Sequence, residues 1–273
     1  MHKRIAILIS ISVILLLSSC KTEFEKLRAS GNVKTLTTKA FEYYDQEEYN
    51  KAQILFESIL GSIRGKTESE KAYFYYSYTQ YHQQKYILAS FYFKDFVKKF
   101  INSEYREEAE FMTAYSYYKI SPSYRLDQTY SEKAIEGFQL FVNTYPDSER
   151  VAECNSLIDN LRKKQEVKAY AEGELYFNLK NYESAVKSFE NILKDFPETT
   201  DSEKVRFMII RSFYLYAENS FVSKQPERFK EVIDRMEEFN DRYPASRFKR
   251  EITTISKNTD KIIKELRNEG YQI

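Results

Sequence analysis

A recurring spacing of small and aromatic residues is the feature that most constrains this chain. Between residues 182 and 197, Ala185 is followed by Phe189 and Ile192, and Pro197 ends the run. Positions i, i+4 and i+7 lie on one face of an α-helix, and proline ends such a helix. The other copies of this spacing start at Ala52, Ala89, Ala134 and, in a weaker form, Val232. The pattern therefore predicts five amphipathic helices that each bury one face.

The rarity of turn residues favours helices throughout the chain. Only 6 glycines and 5 prolines occur in 273 residues, fewer than a β-rich chain needs for its turns. The aromatic residues are 24 tyrosines and 20 phenylalanines. Tyrosine packs its ring in a helix contact and keeps its hydroxyl in water. The composition is therefore typical of many helices joined by short connections.

A partner helix precedes each amphipathic helix, and the pairs resemble tetratricopeptide repeats. Gly173, Tyr176, Ala185, Phe189 and Pro197 match the spacing of that family, and small residues at 173 and 185 let two helices approach closely. The resemblance implies an all-α, right-handed α-solenoid of about five tetratricopeptide-like helical hairpins with a C-terminal capping helix. The repeat domain is expected over residues 34–273, in units 34–65, 66–103, 104–150, 164–200 and 201–246 with a final helix 247–268.

The first 20 residues are typical of an export signal. Lys3 and Arg4 precede an apolar stretch over residues 5–17, which has the length of a signal core and is short for a membrane span. Leu17-Ser18-Ser19-Cys20 resembles the lipobox of bacterial lipoproteins. This resemblance implies a signal peptide over 1–19, acylation of Cys20, and a tether over 20–33. A multiply acylated cysteine would anchor the protein without a spanning helix.

Composition excludes several classes of function. Removal of the signal leaves 40 basic and 41 acidic residues, so nothing in the charge favours nucleic acid. His82 is then the only histidine, which argues against histidine-based metal sites and triads. Cys154, in a helical stretch, is interpreted as a packing residue. No phosphate loop or nucleophile motif occurs, so we expect no enzyme, no metal and no cofactor.

The combination of lipobox and five repeats resembles the BamD family of outer-membrane assembly lipoproteins. The segments "FVNTYPDSE" (141–149) and "YFNLKNYESAVKSFENILKDFPET" (176–199) carry the resemblance, together with the insertion between Tyr117 and Ala134. It covers essentially all of the mature chain. Asn102 stands where the second unit would usually have proline, and the fifth unit is degenerate.

This resemblance implies a role in the β-barrel assembly (Bam) machinery. The chain would sit on the periplasmic face of the outer membrane, held by its lipid anchor. Its C-terminal repeats would bind the periplasmic domains of a BamA-like barrel protein, alongside other Bam subunits. Its N-terminal repeats would receive the C-terminal signal of unfolded outer membrane proteins. The resemblance implies no nucleic acid partner.

In tetratricopeptide arrays the first helix of each unit lines a concave groove, and the register of the first three units places aromatic residues there. Such a lining suits an extended apolar peptide that ends in an aromatic residue, and a lysine could neutralise its carboxylate. The candidate groove residues are Phe41, Tyr44, Lys71, Phe74, Tyr78, Tyr81, His82, Phe111, Tyr115, Tyr118 and Lys119.

Three other functions compete with the assembly scaffold. A generic periplasmic tetratricopeptide adaptor is the main alternative. A ligand-capture lipoprotein similar to the SusD-like glycan binders would be about twice as long and would use tryptophans, of which this chain has 0. An envelope enzyme would need a catalytic domain outside the repeats, for which few residues remain.

Overall fold

The computed structural model describes residues 23–271, and every regular element in that range is helical. This confirms the predicted all-α class. A short 3₁₀-helix lies at Val222–Lys224. The α-helices are α1 Glu23–Ala29, α2 Val33–Asp45, α3 Tyr49–Leu60, α4 Thr67–His82, α5 Tyr86–Lys99, α6 Arg106–Lys119, α7 Thr129–Thr144, α8 Val151–Asn178, α9 Tyr182–Asp195, α10 Ser202–Glu218, α11 Gln225–Arg242 and α12 Lys249–Asn268.

Consecutive helices pair as hairpins, α2 with α3, α4 with α5, α6 with α7, α8 with α9 and α10 with α11, and α12 follows the last pair. Each predicted repeat unit thus contains two helices. Among the described residues, no helix combines the length and the apolar character that a membrane span requires. The predicted signal peptide and Cys20 lie outside the described residues.

Two boundaries differ from the sequence prediction. Helix α1 lies inside the segment expected to be a tether, where Phe24 and Leu27 pack against the first hairpin. Helix α8 begins at Val151, whereas the fourth unit is predicted to start at residue 164. No proline or glycine interrupts residues 151–163, and Cys154, Ile158 and Leu161 are buried at helical spacing. This buried face explains the earlier start of the helix.

The contacts within the chain form two compact units in place of one domain over 34–273. The first unit holds the residues up to Ser121 together with Thr129–Asn155, and the second holds Pro122–Gln128 together with the residues from Ser156 onward. In the first, a core around Phe56 joins helices α2 to α4. In the second, one core runs from Ala185 on α9 to Leu266 on α12.

Small residues set how closely helices pack, as the repeat pattern predicts. A Cβ placed on Gly173 of α8 would lie 2.6 Å from Cε1 of Phe189 on α9. A Cβ placed on Gly137 of α7 would lie 2.7 Å from the Cβ of Ala114 on α6. Since both distances are far below van der Waals contact, only glycine permits these helix pairs to approach as they do.

The turn inside a hairpin repeats one backbone geometry in three units. Glu47, Gln84 and Lys180 have φ angles of 59°, 60° and 60°, in the left-handed region that favours glycine. The amide of the next residue bonds back to a carbonyl five residues earlier: Glu48 N to Tyr43 O, Lys85 N to Gln80 O and Asn181 N to Tyr176 O. This is a Schellman-type ending of the first helix.

Candidate functional site

The residues predicted to line a groove lie on three helices of the first compact unit. Phe41 and Tyr44 are on α2; Lys71, Phe74, Tyr78, Tyr81 and His82 are on α4; Phe111, Tyr115, Tyr118 and Lys119 are on α6. These are the first helices of three successive hairpins. The structure therefore brings the candidate residues together in sequence order, one helix after another.

A cluster of tyrosines surrounds His82 at the end of α4. The rings of His82 and Tyr49 are stacked, with centroids 4.2 Å apart and an interplanar angle of 7°. The Tyr44 hydroxyl and Nε2 of His82 share a hydrogen bond of 3.1 Å. Desolvation by burial lowers the pKa of His82, which favours the neutral form of the ring. His82 therefore packs as an aromatic, polar member of the cluster.

Hydrogen bonds through Glu108 and Arg150 link Tyr78 on α4 to the third hairpin. The Tyr78 hydroxyl donates a hydrogen bond to Oε1 of Glu108 on α6. Arg150 donates to Oε2 of the same carboxylate at 2.5 Å, and its guanidinium lies 4.1 Å from the centroid of the Phe111 ring. Burial, and then the Glu108 carboxylate, raise the pKa of Tyr78. These contacts fix the spacing of α4 and α6 along the proposed groove.

A second group of rings continues from α4 onto α6. The Tyr81 and Tyr115 centroids are 6.3 Å apart, and Tyr115 stacks on Tyr118 at 5.7 Å. Tyr81 also contacts Tyr86 at 5.3 Å. Burial raises the pKa of Tyr81 to about 12. These half-buried tyrosines present ring faces that suit contact with an apolar peptide.

Two of the predicted groove residues belong to the core. Phe74 is 6% exposed and stacks on Tyr105 at 4.6 Å, and Phe111 is 2% exposed and packs against Phe138 and Phe141. Phe74 faces Tyr105 at the start of the next hairpin, and Phe111 faces α7 of its own hairpin. Little of either ring is exposed to a peptide, and their place in the groove lining stays a prediction.

The two predicted lysines are exposed and carry no ion pair among residues 23–271. Nζ of Lys71 lies 5.2 Å from the Phe41 centroid and 5.6 Å from that of Tyr75. Nζ of Lys119 lies 5.9 Å from the Tyr86 centroid. Each ammonium group thus stands at an aromatic surface, where it is available to a carboxylate.

Sequence analysis missed Tyr49, Tyr75 and Tyr86, which complete the ring clusters. Tyr49 and Tyr86 open α3 and α5, each two residues after a left-handed turn residue. Their equivalent position in two hairpins is the signal that could have identified them. Tyr75 precedes Tyr76, and only the structure shows that Tyr75 contacts Tyr44, at 4.7 Å.

The ring clusters are suited to binding, and Cys154, the one cysteine among the described residues, is inert. Among the described residues, no group of histidine, cysteine and carboxylate side chains could hold a metal ion. Cys154 is fully buried, which confirms its interpretation as a packing residue, and burial raises the pKa of its thiol to about 11. The candidate site therefore consists of aromatic rings on α2, α4 and α6, with the exposed lysines Lys71 and Lys119 beside them.

Comparison with known proteins gives a family and one curated relative. A family model described as "YfiO: Outer membrane lipoprotein" matches residues 30–204. A protein of Aquifex aeolicus (strain VF5), described as a putative outer membrane protein assembly factor BamD, is 24% identical over 227 residues. That match covers 82% of this chain and 73% of the relative.

Solved structures of tetratricopeptide proteins are similar to this chain at lower sequence identity. The TPR2AB domain of yeast Sti1 in its pHSP90 complex is 13% identical, covers 84% of this chain and 98% of that one, and has a TM-score of 0.39. The tetratricopeptide domain of P58(IPK) is 15% identical, covers 91% of this chain and 72% of that one, and has a TM-score of 0.41.

Proposed function

This chain belongs to the outer membrane lipoprotein family whose model spans residues 30–204, and we propose that it is a lipid-anchored scaffold subunit of a β-barrel assembly machinery. It would act on the periplasmic face of the outer membrane and would bind a BamA-like barrel protein, other subunits of the machinery and unfolded outer membrane proteins. The family match is the observation that carries this proposal. The relative described as a putative BamD supports it.

The second compact unit offers a surface for the barrel protein. Leu175 and Leu179, at the end of α8, are 56% and 66% exposed, and Phe221, between α10 and α11, is 87% exposed. All three lie at or near the turns between paired helices of the two C-terminal hairpins. Exposed apolar residues that form a patch are typical of a protein interface. This supports docking of the periplasmic domains of the barrel protein on the C-terminal repeats.

The aromatic groove of the first unit supports client binding. Tyr81, Tyr115 and Tyr118 would contact the aromatic residues at the end of an unfolded outer membrane protein. Lys71 or Lys119 would pair with its terminal carboxylate, because both ammonium groups lack an ion-pair partner among the described residues. A peptide with a free carboxyl end would therefore bind more tightly than the same peptide with an amide end.

The proposal is tested by affinity purification through the full-length chain after in-cell crosslinking. We expect a large barrel protein with periplasmic repeat domains to co-purify. A Leu179→Ser/Phe221→Ser variant should reduce its recovery several-fold, since each change removes an apolar contact from the proposed surface. An Ile101→Ser variant, at a 63% exposed position in the first unit, is the matched control and should retain the partner. Recovery of polysaccharide-uptake proteins alone would contradict the scaffold function.

The groove is tested with a photo-crosslinkable peptide that has the C-terminal sequence of an outer membrane protein. A Tyr81→Ala/Tyr115→Ala variant should lower the crosslinking yield by roughly tenfold, as expected for the loss of two ring contacts. A Lys71→Gln/Lys119→Gln variant should bind the free-acid and amide forms of the peptide equally. Tyr182→Ala, on α9 in the second unit, serves as the control. Unchanged crosslinking in the tyrosine pair would exclude these positions.

A further inference from the structure

Four exposed apolar side chains lie on the second helices of the first two hairpins. Ile54 on α3 is 37% exposed, and Ile87, Leu88 and Phe91 on α5 are 55%, 45% and 60% exposed. Large apolar residues exposed singly are common, but a group on neighbouring helices indicates a contact surface. With Lys94 and Lys98, these four residues form what we call the outer apolar face.

The order of residues along α5 separates the apolar side chains from the charged ones. Ile87, Phe91, Lys94 and Lys98 follow one another at i, i+4, i+7 and i+11, so they share one face of the helix. At 1.5 Å per residue, Lys94 lies about 10 Å and Lys98 about 16 Å further along the helix than Ile87. Apolar side chains of interfacial helices are buried to a depth of about 5–10 Å, at the boundary between headgroups and acyl chains. With the Ile87 end of α5 tilted into the membrane to that depth, Lys94 and Lys98 would lie at or above the level of the phosphates.

The lysines are free to contact an anionic surface. Within residues 23–271, neither Lys94 nor Lys98 forms an ion pair, whereas the adjacent Lys99 pairs with Asp95 at 2.5 Å. Both lysines line a depression together with Leu140 of α7, which is 63% exposed, and its charged lining also includes Lys133, Glu110 and Glu136. The surface thus combines unpaired positive charge with apolar side chains that water solvates poorly.

The proposed anchor places this surface near a bilayer, and this step rests on the lipidation of Cys20 in the proposed function. Only two residues, Lys21 and Thr22, separate Cys20 from the first residue of α1, so the connection spans at most about 10 Å. Phe24 of α1 contacts Tyr43 with ring centroids 5.7 Å apart, and Nζ of Lys51 on α3 lies 5.0 Å from the same ring. The start of α1 and the start of α3 therefore meet at the same ring, Tyr43.

We propose that the outer apolar face is a second membrane contact that docks on an anionic phospholipid surface. Ile54, Ile87, Leu88 and Phe91 enter the headgroup region, and Lys94 and Lys98 bind phosphate groups. A single tethered contact is sufficient even when weak, because the anchor supplies an effective concentration in the millimolar range. Since the groove residues lie on α2, α4 and α6, the face leaves them open to partners.

Tryptophan fluorescence tests this contact in the acylated mature protein. The chain contains 0 tryptophans, so Phe91→Trp creates a single reporter on the face, and Phe221→Trp, in the second unit, creates a matched control. Both proteins are reconstituted in vesicles of phosphatidylethanolamine and brominated phosphatidylglycerol. We expect a shift to shorter wavelength and strong bromine quenching for Phe91→Trp only. Equal quenching of both reporters, or of neither, would overturn the proposal.

A second measurement does not depend on the anchor. The mature chain with Cys20→Ser is mixed with anionic vesicles and floated on a density gradient. Lys94→Gln/Lys98→Gln should weaken binding by about fivefold per lysine, as expected for charges near an anionic surface. Lys224→Gln/Lys257→Gln is the charge-matched control and should bind as the unmodified chain does. Binding that the Lys94 and Lys98 changes leave intact would refute the assignment.

The same samples separate the competing explanations. Dimerisation of the Cys20→Ser chain that Phe91→Ser abolishes, measured by analytical ultracentrifugation, would assign the face to a second copy and overturn the membrane contact. A mature terminus without acyl groups, found by mass spectrometry, would remove the anchor and contradict the proposed function. Vesicle binding by the face would still be observed in that case, so the two failures are distinguishable.

Discussion

Gln80 is a polar residue at a fully buried position. It occupies the position at which the first and fourth units have Tyr43 and Tyr176, since all three carbonyls accept the same turn hydrogen bond. Its side chain is fully buried, and neither Nε2 nor Oε1 has a hydrogen-bond partner among the described residues. A buried unsatisfied polar group costs about 1–3 kcal/mol. The amide therefore destabilises the first unit.

We predict that Gln80→Met, which keeps the side-chain length and removes the amide, raises the free energy of unfolding by about 1–2 kcal/mol. Urea denaturation followed by circular dichroism measures this change. Gln83→Met is the control, because its Nε2 donates to Oε1 of Gln53 at 2.8 Å and to the Thr79 carbonyl at 3.0 Å. That variant should be less stable. A destabilised Gln80→Met would mean that the buried amide has a partner such as water.

Single residues were predictable from the sequence where the repeat register fixes their packing. Gly173 and Ala185 were identified as close-contact positions, and Gly173 does lie against the Phe189 ring. The aromatic residues of α4 were harder, because rings occupy nearly every face of residues 72–81 and periodicity cannot rank them. The buried position of Phe74 depends on Tyr105, from the next hairpin.

At the scale of the element, the turns inside the hairpins carry strain. Glu47, Gln84 and Lys180 adopt left-handed backbone angles without being glycine. This conformation costs a residue with a side chain roughly 1–2 kcal/mol, and glycine avoids the cost. The turn nonetheless recurs, because its hydrogen bonds satisfy the last carbonyls of the first helix.

Lys180→Gly should therefore raise the free energy of unfolding by about 0.5–1 kcal/mol, after the larger entropy of glycine in the unfolded chain is subtracted. The comparison is with Asn191→Gly, an exposed position inside α9, where glycine should lower stability. Thermal unfolding of both variants provides the measurement. A loss of stability in Lys180→Gly would show that the lysine side chain compensates for its backbone angle.

Helix pairs were predicted well and helix ends less well. The proline and aromatic signals at residues 145–146, 196–197 and 243–244 correspond to the ends of α7, α9 and α11. The start of α8 was predicted too late because the repeat register counts back from Ala185 and does not extend past one unit. The helix inside the expected tether was missed, since its seven residues are too few for a periodic pattern.

At the scale of the whole molecule, the scarcity of glycine and proline was enough to predict an all-helical chain. The division into two compact units was not predictable. Each hairpin repeats the same local pattern, and this pattern does not show which helices make many contacts with one another. Residues 122–128 illustrate this: they lie between α6 and α7 in sequence yet belong to the second unit. Lys164 and Lys168 of α8 donate hydrogen bonds to the Pro122 and Leu126 carbonyls of that segment, at 2.9 and 2.8 Å.

The burial of Cys154 has a practical consequence for work on this molecule. Its thiol is shielded and protonated at neutral pH, and Cys20, which the proposed function would have acylated, can be replaced. A cysteine introduced anywhere on the surface would then react alone with maleimide spin labels or fluorophores. Pairs of such labels would report distances within each compact unit while the protein remains on its native membrane.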